Sequence, residues 1–269
     1  MTNKIRSKTI EDFNDQWKII NELNTNDYLD SEEMLLDYLS DLVELTEINN
    51  KVIAEVGSGN GRIVKILLKH NPKKLYAIEP SENGINNILK NLKKYSSLKT
   101  IQSDGVSFKT DELCDLIFSL GVIHHINNPT DVLKNIKNNL KAGGKIIIWV
   151  YGHENNFLYI LIYQMLLIIT KKLSDKNLYK FTSLLNILIA PYIFLCRYFN
   201  LPLKKYLIKV FDKCGWEQRK YIIFDQLNPA YVKYYKKEEI EKELIDSGFT
   251  NLKFHHRHGY SWTVVGEKA

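Results

Sequence analysis

Over the first fifty residues, acidic and apolar positions alternate at helical spacing. In SEEMLLDYLSDLVEL, Met34, Leu35, Tyr38, Leu39 and Leu42 fall on one face, which predicts an amphipathic lead-in helix. From Lys51 onwards, short apolar runs alternate with amphipathic stretches. KVIAEV, KKLYAIE, KTIQS, CDLIFSL and GKIIIWVY read as strands, and GRIVKILLKH, SENGINNILKNLKKY and PTDVLKNIKNNL read as helices between them, with Pro72 and Pro80 at boundaries. Five strands interleaved with helices predict a parallel sheet covered on both faces. Towards the other end, the helix KKEEIEKELIDSG, closed by Gly248, precedes the strands NLKFHH and YSWTVVGE. The short connection RHG, with Gly259 available for positive φ, predicts that the sheet finishes as an antiparallel hairpin.

Between about Gly152 and Asn228 this alternation stops. Two apolar stretches, FLYILIYQMLLIIT (Phe157 to Thr170) and LLNILIAPYIFLCRYF (Leu184 to Phe199), flank the charged KKLSDKNLYK. Each is shorter than the roughly 18 to 20 residues that cross a bilayer, and Pro191 interrupts the second, so neither is expected to span. An insertion after the fifth strand lies beside the carboxyl ends of the strands, where open α/β sheets bind ligands. Two readings stay open: a helical cap or homodimer surface with a buried interior, or a lid over an apolar or lipid-linked substrate with peripheral membrane contact through residues 153–200.

Composition refines this picture modestly. The chain has 269 residues, 45% of them apolar and 25% charged, as in ordinary globular proteins. A formal charge of +6 is spread along the chain rather than clustered, so nucleic-acid binding is not expected. Cys114, Cys196 and Cys214 are widely spaced and odd in number, which favours a reducing compartment. The first residues, MTNKIRSKTIEDFNDQW, lack the apolar core of a signal peptide, and a cytoplasmic location, or one peripheral to the inner membrane face, is expected.

The chemistry concentrates in VIAEVGSGNGRIVKIL. Gly57, Gly59 and Gly61, at alternate positions after a buried strand, let the backbone turn tightly and approach a ligand. The dinucleotide pattern G-x-G-x-x-G fails because Arg62 stands three residues after Gly59, and no phosphate-cradling G-x-x-x-x-G-K-[ST] is present. EVGSGNG instead resembles the first motif of class I S-adenosylmethionine-dependent methyltransferases, of the small-molecule- and glycan-modifying kind (methyltransferase domain 11/25-like). Features in the same order extend the likeness: YAIEPS after the second strand, IQSDGVSF after the third, and CDLIFSLGVIHHINNPTDVLKNIKNNLKAGGKIIIWVYG across the fourth and fifth. The close match runs from about Val52 to Gly152.

The resemblance implies a Rossmann-like, doubly wound, mostly parallel seven-stranded α/β sheet with an antiparallel terminal hairpin. It implies residues 1–50 as a helical lead-in covering the cofactor site, 51–152 as the cofactor-binding core, 153–228 as the cap insertion and 229–269 as the helix and hairpin that complete the sheet. S-adenosylmethionine, or its product S-adenosylhomocysteine, would be held by Glu55 at the amino group, by the turn Gly57, Ser58, Gly59 and Gly61, and by Glu79 with Pro80 at the ribose. Asp104 would lie near the adenine amino group, with Gly105 and Leu120 also binding the cofactor. FNDQWKI is similar to an F-x-x-x-W element of some members, with Trp17 folding over the cofactor.

His124 and His125 follow the fourth strand, and a histidine there suits a general base because its pKa lies near neutrality. Loop bracing is the alternative role for the pair. Tyr151, Asp225 and Tyr231 are candidates to line the acceptor pocket. His256 and His258 would share one face of a strand and His255 the other, with no Cys or paired carboxylate nearby, so no metal site is expected. The reading of function is methyl transfer to an oxygen of a small molecule or glycan. N- or C-methylation of a quinone or lipid is the alternative; RNA or protein methylation and a non-catalytic cofactor-binding role rank lower.

Overall fold

The computed structural model describes residues 2–20 and 28–269. Its strands are β1 (Val52–Val56), β2 (Lys74–Glu79), β3 (Leu98–Gln102), β4 (Cys114–Leu120), β5 (Leu140–Tyr151), β6 (Phe249–Arg257) and β7 (Ser261–Lys268). They form one seven-stranded sheet in the order β3-β2-β1-β4-β5-β7-β6. The first five strands are parallel, and β7 pairs antiparallel with both β5 and β6. The chain runs outward from β1 to β3 and then returns to place β4 on the other side of β1. That reversal opens a crevice at the carboxyl ends of β1 and β4.

The strands bury both faces, as their continuous apolar runs require. Ile53, Leu75, Phe118 and Ile147 pack towards α2 (Glu32–Leu39) and α3 (Arg62–Leu68). Their alternates Val52, Ala54, Ile117 and Ile148 pack towards α5 (Thr130–Asn139) and α10 (Lys237–Asp246). Between the strands β2 and β3 lies α4 (Glu82–Leu92), whose first turn is capped by the Ser81 hydroxyl accepting from the Gly84 N–H. At the hairpin, His258 and Gly259 both adopt positive φ, 49° and 82°, and close the connection to Tyr260. His258 therefore sits in the turn rather than on a strand face with His256.

The lead-in contains two helices where the sequence pattern predicts one. α1 (Thr2–Ile19) comes first, and α2 is shorter than expected because Ser40 turns left-handed at φ 51° and leaves Leu42 outside the helix. The insertion is helical throughout, with α6 (Phe157–Thr170), α7 (Asp175–Tyr198), α8 (Lys204–Lys209) and α9 (Trp216–Leu227).

The second apolar stretch belongs to a longer helix than the apolar run alone indicates. α7 runs for 24 residues through Pro191 without ending, and by length and composition it is apolar enough to cross a membrane. The apolar sequence run understated it because the helix starts nine residues earlier, in the charged segment that the run excludes. Only 22% of its apolar window is buried; Ile187, Leu188, Phe194 and Tyr198 on α7 stand exposed, as do Phe157, Met165 and Ile168 on α6.

The hairpin is locked to the lead-in by an ion-pair cluster. Arg257 is only 1% exposed, and its guanidinium donates to Asp37 at 2.9 Å through Nε and also meets the Tyr260 hydroxyl. His258 Nε2 lies 2.8 Å from the other Asp37 oxygen. Burial opposes the charge on Asp37, but the His258 hydrogen bond and the Arg257 charge prevail and hold its carboxyl at about 2. Because this value lies below that of an unfolded aspartate, the stabilisation is complete above about pH 4 and disappears as pH falls towards 2. Replacing Asp37 by Asn leaves Arg257 buried without its counter-charge. The expected outcome is a loss of about 3–5 kcal/mol in chemical denaturation at pH 7, with a smaller difference from wild type at pH 2.5.

Candidate functional site

The crevice above β1 and β4 opens into a cavity of about 460 Å³. Its floor is the turn after β1. Gly57 and Gly59 take φ of 79° and 53°, conformations that side chains resist, and a Cβ on Gly59 would stand 2.6 Å from the Trp17 ring. The turn is pinned to β2, with the Gly57 and Ser58 N–H groups donating to the Ile78 carbonyl at 2.8 and 3.0 Å.

Two buried carboxylates flank this turn. Glu79, at the end of β2, accepts from the Gly59 N–H at 2.9 Å and from the Ser81 N–H at 3.1 Å. Burial raises its pKa despite those bonds. Glu55, in β1, is 1% exposed and its Oε2 has no partner. Burial pushes its carboxyl up to about 8, with Arg62 working in the opposite sense. An enclosed acid with an unused oxygen beside a glycine cradle fits a ligand that brings a cationic donor. Across the cavity, Asp104 accepts from the Val106 and Ser107 N–H groups at 3.1 and 3.0 Å and is paired with Arg6.

Helix α1 forms the roof. Its Ile10, Phe13 and Trp17 line the cavity, and its polar side is tied to neighbouring elements. Asn83 Nδ2 in α4 donates to the Asn14 carbonyl at 3.0 Å, Asn87 Nδ2 donates to the Trp17 carbonyl at 2.9 Å, and Gln16 Nε2 donates to Asp225 on α9 at 2.8 Å.

Beyond the turn the cavity continues into a chamber walled by aromatic side chains. Trp149 and Tyr151 come from the end of β5, Tyr38 from α2, Tyr159 from α6, Tyr206 from α8, Tyr221 from α9, and Tyr234 and Tyr260 from the returning chain. Tyr151 is stacked between His124, at a centroid distance of 3.9 Å, and Tyr234, at 5.7 Å.

Most residues singled out in the sequence meet around this one cavity: Glu55, Gly57, Ser58, Gly59, Glu79, Pro80, Asp104, Gly105, Leu120, Trp17, His125, Tyr151 and Asp225. Three lie outside its lining. Gly61 is the left-handed residue before α3, where a Cβ would stand 2.9 Å from Ile88, so it serves helix packing. His124 is fully buried behind Tyr151, with neither ring nitrogen bonded and its pKa pushed well down by burial. Tyr231 contributes its carbonyl, 2.9 Å from His125 Nδ1, rather than its ring. With Nδ1–H donating there, Nε2 is the acceptor nitrogen of His125, and burial lowers the pKa of this ring as well. No cluster of metal-ligating side chains occurs among the described residues.

The sequence pointed to the Phe13 element and to Tyr151 but assigned no role to Arg62 or to the other chamber tyrosines. Arg62 was visible as the residue after the glycine run. Tyr38, Tyr159, Tyr206 and Tyr221 sit on four separate helices and Tyr234 and Tyr260 on connecting segments, so they share no local signal.

Residues 54–148 match the family model described as a methyltransferase domain. Among curated proteins, this stretch is similar to the tRNA U34 carboxymethyltransferase of Campylobacter jejuni (strain RM1221), 33% identical over 112 residues, which are 39% of this chain and 36% of that protein. The enzyme of the same name from Helicobacter acinonychis (strain Sheeba) is 29% identical over 114 residues, 40% of this chain and 44% of that one. The chain thus spans less than half the length of these relatives. Among solved structures, a SAM-dependent methyltransferase from Aquifex aeolicus has a TM-score of 0.54 at 15% identity, covering 95% of this chain and 98% of its own. Human N-acetylserotonin methyltransferase in complex with SAM has a TM-score of 0.53 at 12% identity, covering 90% and 54%.

These relatives correct two expectations. A small-molecule or glycan acceptor ranked above RNA, and no nucleic-acid partner was expected, yet the curated relatives named here are tRNA-modifying enzymes. Diffuse positive charge was a poor guide, because it neither identifies nor excludes a nucleic-acid partner. The domain match over residues 54–148, the shared fold and the glycine turn with its flanking acids support a class I S-adenosylmethionine-dependent methyltransferase core in this chain.

Proposed function

We propose that the protein transfers a methyl group from S-adenosylmethionine to a nucleoside of tRNA in the cytoplasm. The observation that carries this reading is the kinship of the cofactor-binding core to tRNA U34 carboxymethyltransferases. Two features of the chain support it. A chamber walled by aromatic rings suits a flat base extruded from its stack. Between residues 157 and 210 the chain carries eight basic residues, including Lys171, Lys172, Lys176 and Lys180, against the single acid Asp175, a balance that favours a phosphate backbone.

In this reading residues 51–152 hold the cofactor, 1–50 cover it, 153–228 form the cap over the acceptor and 229–269 complete the sheet. The Gly57–Gly59 turn and Glu55 take the methionine end, Glu79 and Pro80 the ribose, and Asp104, Gly105 and Leu120 the adenine, with Trp17 packed over the turn. The cofactor supplies a sulfonium-activated carbon. The chain's own task is to align the acceptor and exclude water. His125 Nε2 is the nitrogen placed to take a proton from the acceptor, Asp225 and Tyr151 shape its surroundings, and His124 braces Tyr151 from behind.

The direct test is incubation of the whole chain with radiolabelled S-adenosylmethionine and unmodified tRNA, followed by digestion to nucleosides and chromatography. Label in a modified nucleoside is expected, with a rate that falls steeply as salt rises. Protein that binds S-adenosylmethionine but leaves tRNA unlabelled overturns the acceptor assignment.

Two further outcomes test the cofactor assignment. Gly59→Ala forces a Cβ into Trp17 at a left-handed position, and calorimetry should record at least a tenfold loss of S-adenosylhomocysteine affinity. Glu55 is neutral at pH 7 in the free protein, and an incoming ammonium group favours its ionised form. Titrations in buffers of different ionisation enthalpy should therefore record proton release at pH 7 that disappears above pH 9 and is absent in Glu55→Gln.

A further inference from the structure

Arg62 follows the glycine turn directly, and its side chain borders the cavity where the cofactor cleft meets the aromatic chamber. The guanidinium carbon lies 5.5 Å from the centroid of the Tyr221 ring, and Nε is sealed from water with no hydrogen-bond partner. Among the described residues no carboxylate forms an ion pair with it; Asp30 and Asp225 act on its charge only through space. The contrast with Arg257 is informative. That second arginine on the cavity wall is satisfied by Asp37 and Tyr260, so its charge serves the fold. Arg62 is half-buried, with Nε sealed and its other nitrogens not sealed, and beyond the cation–π contact with Tyr221 the guanidinium has no hydrogen-bond partner among the described residues.

The geometry points to a carboxylate-binding subsite at Arg62, a deepening of the reading given above. A planar carboxylate offers two oxygens to the guanidinium fork, and the Tyr221 ring behind it fixes the plane of approach. Glu55, with its unused oxygen, is close enough for Arg62 to act on its ionisation. Together the two side chains suit an amino acid's ammonium and carboxylate. The same fork, opening on the chamber, equally suits an acid carried by the acceptor. The chemistry is common to both sources, and ligands that differ in one group separate them.

The experiment uses the whole chain as wild type, Arg62→Gln and Arg62→Lys, titrated with S-adenosylhomocysteine, with 5′-methylthioadenosine, which lacks the amino-acid end, and with acetate. Acetate is followed through the Arg62 Nε–H resonance of the wild type. If the subsite serves the cofactor, Arg62→Gln weakens S-adenosylhomocysteine roughly 10- to 100-fold and leaves 5′-methylthioadenosine unchanged, with Arg62→Lys intermediate. If it serves the acceptor, both nucleosides bind all three proteins alike, and acetate shifts the Arg62 resonance in the S-adenosylhomocysteine complex.

The subsite is overturned if Arg62→Gln binds both nucleosides as wild type does and acetate leaves the resonance in place. It is also overturned if both variants lose 5′-methylthioadenosine as severely as S-adenosylhomocysteine, which assigns Arg62 to the shape of the cleft. A wild type that binds neither nucleoside, yet shows the acetate shift, retains the subsite and refutes the cofactor reading instead.

Discussion

The arrangement depends on the chain leaving β1 with no side chain at positions 57 and 59. Gly57 and Gly59 both adopt left-handed φ, and Trp17 occupies the space that a Cβ on Gly59 would fill. Because that space is free, α1 lies across the turn as a roof. Because the Gly59 N–H faces β2, Glu79 finds a donor that offsets part of the cost of its burial. Roof, floor and buried acid therefore answer to one backbone constraint.

Charge is distributed around the cavity by the same economy of partners. Glu79 and Asp104 are well supplied with hydrogen bonds inside the protein, whereas one oxygen of Glu55 and the Nε of Arg62 are not. Arg257, more deeply buried than Arg62, is held by Asp37 and so ties the hairpin to the lead-in. The two arginines on the same cavity wall thus divide between architecture and an open valence towards whatever enters.

The part of the molecule that matches the methyltransferase domain and the part outside that match meet near Tyr151. The match to the methyltransferase domain ends at residue 148, and the far wall of the cavity is built from α6, α8 and α9 beyond that point. Kinship therefore bears on the glycine-turn side of the cavity, while the insertion supplies its far wall. The exposed apolar faces of α6 and α7 belong to the part outside the match and lie on the outside of the cap.

The sequence by itself determined the sheet, the glycine turn and the acids at the strand ends. These depend on local periodicity and on residues whose spacing along one strand–turn–helix unit is their spacing in space. CDLIFSL became β4 residue for residue, and Ser81 capped α4 through its own hydroxyl. Tertiary structure decided what local pattern does not encode. Pro191 lies inside a helix rather than at its end; His124 is sealed behind Tyr151 while its neighbour His125 borders the cavity; and Tyr231 acts through its carbonyl. The chamber was invisible for the same reason, since its rings come from elements as distant as Tyr38 and Tyr260. Only the packing of the insertion against the sheet brings them together, and no period in the chain records that meeting.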